Sequence, residues 1–561
     1  MKRNVRILAM LLVLVMLLPL ASCGTQGETP TQAPSGGASQ NPSGDPATGD
    51  DWNRVIRMSV AGAPYADPGF GTDAVSNIYY INVYDTLVYP DNNDEIQPLV
   101  ATGWETSDDG LTWTFTLRED VVFHDGTPLK ASDVAFSANR LLATGQGYAF
   151  LFVNILDSVT ADSDYTVTFK LKQAFAPFLS VLCRLYIMNE TLIMDNIGTG
   201  SYGDFGDYGA AWLDAGHDAG SGPYYCSAWE YMTRVVCTRF DDYWEGLDPD
   251  APAGFELVEG TETATVRAKF QNGELEISDQ WQSNENFQAL SEMPGVEIST
   301  MYCGSTLFLQ MNNKKAPLDD EHVRKAIAYL VDYEQLWNTI FPGTRPNKSV
   351  IPMGLPGYTD DITTYEYNIE KAKEELALSK YADTIGDYPI NLTWIAEVAD
   401  EEKMALLIQS AAAPLGFNIE INKAPHMTNV DNVANLETTP HMNISFDVTD
   451  YAEAGSMLAV RFHSTNVGLF SQTEWLQNPE VDAMIDDALS TMDEGERMQK
   501  YAEITQWVMD HCICTPCGDQ AKRHAYTADK FVWPDAEVAA GGGEVSKSDG
   551  YVFNFKNFRC K

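Results

Sequence analysis

Apolar and polar residues alternate with a period of two in two stretches. Leu111, Trp113, Phe115 and Leu117 alternate with threonines, and Tyr165, Val167, Phe169 and Leu171 repeat the pattern. Successive side chains of a strand point to opposite faces, so each stretch predicts a half-buried strand. Asp162-Ser163-Asp164 ahead of the second stretch predicts a turn. Elsewhere the spacing is helical. Asn478 and Pro479 have the chemistry of a cap and a first helical residue, and Val481, Met484, Ile485 and Ala488 then fall on one face. Asp319 and Asp320 precede a second such stripe at Val323, Ile327, Leu330 and Val331. Strands and helices interleave without a strict repeat, which predicts a mixed α/β (α+β) fold in several lobes.

The first residues follow a different pattern. Lys2, Arg3 and Arg6 precede an almost wholly apolar run from Ile7 to Leu20. A bilayer-spanning helix needs about 20 apolar residues, so this run reads as a secretory signal peptide over residues 1–22. Leu20-Ala21-Ser22-Cys23 resembles the bacterial lipobox, which makes Cys23 the expected lipidation site. The Gly-, Ser-, Thr-, Pro- and Gln-rich segment that follows lacks the apolar surface to offset its ordering entropy, so residues 23–52 are expected to be a flexible tether. After residue 52 no segment is long and apolar enough to span a membrane.

The remaining length calls for more than one domain, because single cores stop growing near about 250–300 residues. Hydrophobic residues make up 44% of the chain, as in a globular protein. The formal charge is −44, and a cleaved leader would remove three positive charges more. So acidic a surface repels nucleic acid, favours solubility and suits a cationic ligand.

Motifs for bond chemistry are missing. There is no GxSxG elbow, HExxH pair or GxxxxGK[ST] loop, and the histidines are scattered, so no enzyme activity, metal or cofactor is expected. Beyond Cys23 there are eight cysteines. Cys226 and Cys237 flank a predicted hairpin and form a candidate bridge, although connectivity is not readable from spacing. Cys512, Cys514 and Cys517, with His511 and His524 nearby, lack the paired spacing of a zinc site; Cys512 and Cys514 alternate around Ile513 as at a buried strand end.

The segment from Trp104 to Leu142 carries a longer signature: Phe123-His124-Asp125-Gly126-Thr127-Pro128, then Asp133-Val134, then Arg140-Leu141. It resembles that of the extracellular solute-binding proteins of the peptide/nickel type, which serve ABC importers. Tyr84-Asp85-Thr86-Leu87, Gly222-Pro223-Tyr224, Asp242-Tyr243-Trp244, the Gly273–Ile277 turn, Pro317–Tyr329 and Asn478–Asp482 are similar to further segments of that family, in its order. The resemblance implies a bilobal periplasmic-binding-protein-like fold with an extra domain and a hinge. The implied division is 53–88, 213–302 and 519–561 for the first lobe, 89–212 for the extra domain and 303–518 for the second lobe. The chain is expected to cross to the far lobe near Tyr302–Leu309 and return near Ile513–Gln520.

The same resemblance implies a function: a monomeric receptor, lipid-anchored outside the cytoplasmic membrane, that captures an oligopeptide, dipeptide or other amine-bearing solute and delivers it to the membrane subunits of an ABC importer. Ser445 to Glu453 resembles the family's ligand strand and loop. By position Asp450 would pair with the ligand's ammonium group, with Phe446, Asp447 and Tyr451 beside it; Asp447 stands where the family carries an aromatic residue, and Ala454 where it carries proline. Trp394 at an expected strand end, Trp281 in the loop after Ile277, and Tyr65 in a Pro/Gly/Asp-rich loop are further candidate walls. A metal chelate, haem or oligosaccharide on the same scaffold is the alternative ligand class. A surface enzyme or adhesive protein is the alternative of another kind, and it has no motif or repeat behind it.

Overall fold

The computed structural model describes residues 53–561; the signal peptide, Cys23 and the tether lie outside the described residues. The first strand, β1 (Val55–Val60), leads to helix α1 (Ala74–Val83), whose N-cap Asp73 accepts from the backbone N–H groups of Val75 and Ser76. A four-stranded antiparallel sheet follows: β2 (Ala101–Thr106), β3 (Thr112–Leu117), β4 (Leu156–Ser163) and β5 (Thr166–Leu171), in the order β2-β3-β5-β4. Both alternating stretches of the sequence are strands, and they pair with each other, Trp113 opposite Phe169 and Phe115 opposite Val167. Their apolar faces bury because register follows the hydrophobic pattern. The turn between β4 and β5 falls at residues 164–165, so Asp162 and Ser163 belong to the preceding strand. Helix α2 (Ala131–Thr144) packs on this sheet.

The chain then returns to β1. Strands β6 (Tyr224–Glu230), β7 (Arg234–Arg239) and β8 (Gly254–Glu259) form the order β1-β8-β7-β6, with β8 parallel to β1 and β6 at the edge. Next come β9 (Val296–Met301) and β10 (Ser305–Met311), separated by residues 302–304. From β10 the chain builds a third region: helix α3 (Glu321–Tyr329), capped by Asp320, then β11 (Pro389–Ile395), β12 (Asn418–Ala424) and β13 (Met442–Val448). Helices α4 (Pro479–Ser490) and α5 (Glu494–Asp510) follow, and Asn478 caps α4 by accepting from the Glu480 N–H, with Val481, Ile485 and Ala488 buried. Strand β14 (Cys514–Asp519) closes a five-stranded sheet of order β12-β11-β13-β10-β14. Cys512, expected at the strand end, sits in the preceding turn with φ of +44°, and the strand begins at Cys514. Among the described residues no three His, Cys, Asp or Glu side chains converge as a metal-ligand set.

The chain leaves this sheet through Gln520 and Ala521 into β15 (Lys522–Thr527), which pairs antiparallel with β9. Two crossings therefore run side by side: β9 to β10 through residues 302–304, and β14 to β15 through residues 520–521. Gly304 shows how close the third region comes to the C-terminal segment. Its φ is +67°, and a Cβ there would stand 2.5 Å from Thr449 Oγ1 and 2.7 Å from the Lys547 carbonyl, so only glycine fits.

Candidate functional site

Strand β13 is central in its sheet, paired antiparallel with β10 and parallel with β11. Alternation along it sends neighbouring side chains to different surroundings. Phe446 is half-buried and meets two rings from either side of the crossings, Trp281 at 5.8 Å and Phe341 at 5.7 Å. Asp447 points the other way, into the core, where it forms an ion pair with Arg461, which also pairs with Glu474 and lies 3.8 Å over the Phe308 ring. The Glu474 carboxyl is pushed up to about 7 by burial, against the pull of Arg461. Asp447 therefore holds the strand to its own core and does not share the Phe446 face.

Beyond Val448 the strand becomes a loop fixed at both sides. Thr449 Oγ1 donates to the Lys547 carbonyl, and Thr449 forms a parallel bridge with Ser548. The Asp450 N–H donates to Ser456 Oγ at 2.9 Å, in the helix spanning Ala454–Phe462. This leaves the Asp450 carboxylate without a hydrogen-bond donor among the described residues. Burial pushes its pKa up to about 6; Arg184 opposes that and Asp549 adds to it.

A network of charges surrounds this loop. The Arg184 guanidinium, buried, donates Nε–H to the Asp450 carbonyl at 2.7 Å and Nη1–H to the Asp549 carbonyl at 3.0 Å, and stands 5.2 Å over the Tyr148 ring. The Asp549 carboxylate pairs with Lys522 and accepts from Asn77 Nδ2 at 3.0 Å. Burial alone would raise its pKa, but Lys522, with help from Asn77 and Arg184, holds it below its ordinary value. The Asn77 Oδ1 in turn accepts from the Tyr148 hydroxyl at 2.9 Å. Lys522 and Asp549 match each other in this network, whereas Asp450 has no ion-pair partner and Arg184 donates to two carbonyls and forms no ion pair among the described residues.

Of the residues expected at the site, the structure brings Phe446 and Trp281 into ring contact and sets Asp450 two residues past the end of the same strand. Tyr451 is buried in the core behind the loop. Trp394 is 4% exposed, with Lys423 Nζ 4.9 Å above its ring, and Tyr65 is 45% exposed, its N–H donating to Ser76 Oγ. Neither makes a ring contact or hydrogen bond with Phe446, Trp281 or Asp450. Arg184, Asn77, Tyr148, Lys522 and Asp549 were not anticipated. Arg184 had a signal in the sequence: it is the one charge in the apolar run Ala174–Met188. The others come from distant segments that only the fold joins. Between Trp281, Phe341, Val398, Gln520 and Arg523, where the two crossings bring the sheets together, a cavity of about 50 Å³ remains.

The chain matches the model of the bacterial extracellular solute-binding proteins, family 5, over residues 95–468. It is 29% identical over 421 residues to the probable D,D-dipeptide-binding periplasmic protein DdpA of Escherichia coli K12, covering 74% of this chain and 78% of that one. To the heme-binding protein A of Haemophilus influenzae it is 26% identical over 452 residues, covering 75% and 78%. The fold superposes on the ABC transporter-associated periplasmic binding protein DppA of Helicobacter pylori, solved with the peptide STSA, with a TM-score of 0.76 at 21% identity, covering 90% of this chain and 98% of that one. The architecture is therefore the mixed α/β periplasmic-binding-protein fold, and binding without bond chemistry is the activity of the family. The chain belongs to the family 5 bacterial extracellular solute-binding proteins.

Proposed function

We propose that this protein is the receptor of an ABC importer for a peptide or another solute with a free amine, held to the outer face of the cytoplasmic membrane by a lipid on Cys23. One observation carries the ligand reading: the part-buried Asp450 carboxylate has no hydrogen-bond or ion-pair partner among the described residues, and burial pushes its pKa up to about 6. A partly desolvated charge without a partner is costly, and a ligand ammonium supplies the partner. The Phe446–Trp281 pair would then receive the first side chain of the ligand. The names of the relatives, a D,D-dipeptide binder and a peptide-bound DppA, support the same class. The cavity between the sheets is about 50 Å³, room for a few waters at about 10–15 Å³ each on that measure. Capture of a peptide between the sheets would use separation and reclosure of the halves, a standard motion of two-lobed binding proteins.

The test is thermal melting of the purified full chain against matched short peptides with free and acetylated N-termini. Ligand binding to the folded state raises the melting temperature, so free-amine peptides should raise it and acetylated ones should not. Equal shifts from both, or recovery of haem, a metal chelate or a sugar by native mass spectrometry, would overturn the amine reading. Incorporation of a labelled fatty acid, lost in Cys23→Ala, checks the anchor separately.

A further inference from the structure

We infer that Cys226 and Cys237 form a disulfide in the exported protein and that this bond staples the edge strand of the β1-β8-β7-β6 sheet. In the structure both sulfurs are free thiols. The two residues stand directly opposite each other, Cys226 on β6 and Cys237 on β7. Opposed residues of an antiparallel pair share a face, and their spacing depends on the kind of pair. In a hydrogen-bonded pair the Cys226 N–H would donate to Cys237. It donates instead to Asp218 Oδ2, at 2.7 Å. The pair is therefore the non-hydrogen-bonded kind, with Cα atoms about 4.5 Å apart and side chains close. That spacing lies within the range a disulfide spans.

No other described cysteine has such a partner in the strand register. Cys514 lies opposite Gln310, and Cys560 opposite Phe531. The family is extracellular, the compartment in which disulfides form and persist. Exposure sets the order of events: Cys226 is half-buried and Cys237 fully buried. The Cys226 thiolate attacks one sulfur of an oxidant disulfide and expels its other sulfur as a thiolate. Cys237, on losing its proton, then attacks the Cys226 sulfur and releases the second oxidant thiolate. The protein loses two protons and two electrons, and the oxidant disulfide becomes two thiols.

The bond would have structural work to do. Among the described residues no strand pairs with β6 on its outer side, where a single carboxylate, Asp218, takes the Cys226 N–H, and its hairpin ends in exposed Tyr231 and Met232. An unpinned edge strand is a liability for fraying and mispairing. The Cys226 N–H also helps hold Asp218, which binds His124 at 2.6 Å, so fraying at Cys226 would reach the loop that follows β3.

The test is peptide mapping of the folded full chain, incubated with oxidised glutathione and alkylated before digestion. Trypsin cuts at Arg234, between the two cysteines, so the bond appears as two linked peptides lighter than their sum by two hydrogens and separated by reductant. Cys226→Ser and Cys237→Ser should each abolish this species, and Cys560→Ser should keep it. Reductant should lower the melting temperature of the parent chain and leave that of Cys226→Ser/Cys237→Ser unchanged. Full alkylation of both residues, or linkage of either to another cysteine, overturns the bond; a parent melting temperature insensitive to reductant overturns its role as a staple.

Discussion

Arg140 and Asp67 form a two-pronged ion pair, Nη1 to Oδ1 at 2.8 Å and Nη2 to Oδ2 at 2.5 Å, with neither side chain reaching solvent. Arg140 comes from α2, packed on the sheet of β2 to β5, and Asp67 from the loop between β1 and α1, so the pair joins that sheet's helix to the N-terminal strand and helix. Removing one member of a buried pair leaves the other charge uncompensated. Arg140→Leu should lower unfolding free energy by about 3–5 kcal/mol, read by chemical denaturation. Arg140→Leu/Asp67→Leu should recover part of the loss, and additive losses would show the pair is not coupled.

The His124 imidazole is pulled down by burial and pushed up by Asp218, the Gly222 carbonyl and Asp85 together, with a net rise above its ordinary value. A histidine whose folded pKa exceeds its unfolded value of about 6.5 gives full stabilisation below that pH and loses it as pH rises through the folded value. The stability difference between the parent chain and His124→Gln should therefore shrink on going from pH 6 to alkaline pH. A difference constant with pH in paired melts would refute this.

Asp450 has the same direction of pH dependence from a different cause, the cost of its own buried charge. Its folded pKa of about 6 exceeds the unfolded 3.8, so its charge costs stability as pH rises between those values. Ligand-free Asp450→Asn should match the parent chain near pH 4 and exceed it at pH 7 by no more than about 3 kcal/mol. The same variant, or Asp450→Ala, should weaken capture of a free-amine ligand by about 1.5–3 kcal/mol, and parent affinity should fall below about pH 6. Calorimetry at two pH values checks both halves.

Trp281 and Phe446 lie 5.8 Å apart on opposite sides of the crossings. A ligand that enters there must change the surroundings of the indole. Trp281→Phe should abolish most of the ligand-induced change in tryptophan emission while saturable binding persists. An unchanged emission signal in the variant would place the ligand elsewhere.

Local rules made much of this fold legible. The pairing of Trp113 with Phe169 follows from two runs of period two, and the start of α4 follows from Asn478 and Pro479, because these signals sit within a few residues of what they specify. The family resemblance led to Asp450, whose isolation only the structure reveals. Asp447 was less legible. Its neighbours Arg461 and Glu474 are 14 and 27 positions away, and no periodicity indicates that a strand acid turns inward to meet them. Asn77, Lys522 and Asp549 meet across more than 400 residues of chain, and such meetings depend on topology.

The paired crossings have a mechanical consequence. One linker, such as residues 302–304 alone, would act as a swivel, free to bend and to twist. Two linkers fixed side by side, the second at residues 520–521, act as a leaf flexure: soft to folding about the line through both, stiff to rotation about the strand direction. Under the proposed function the gap between the sheets would open along a single coordinate, and an importer docking on the closed form would read occupancy from one angle.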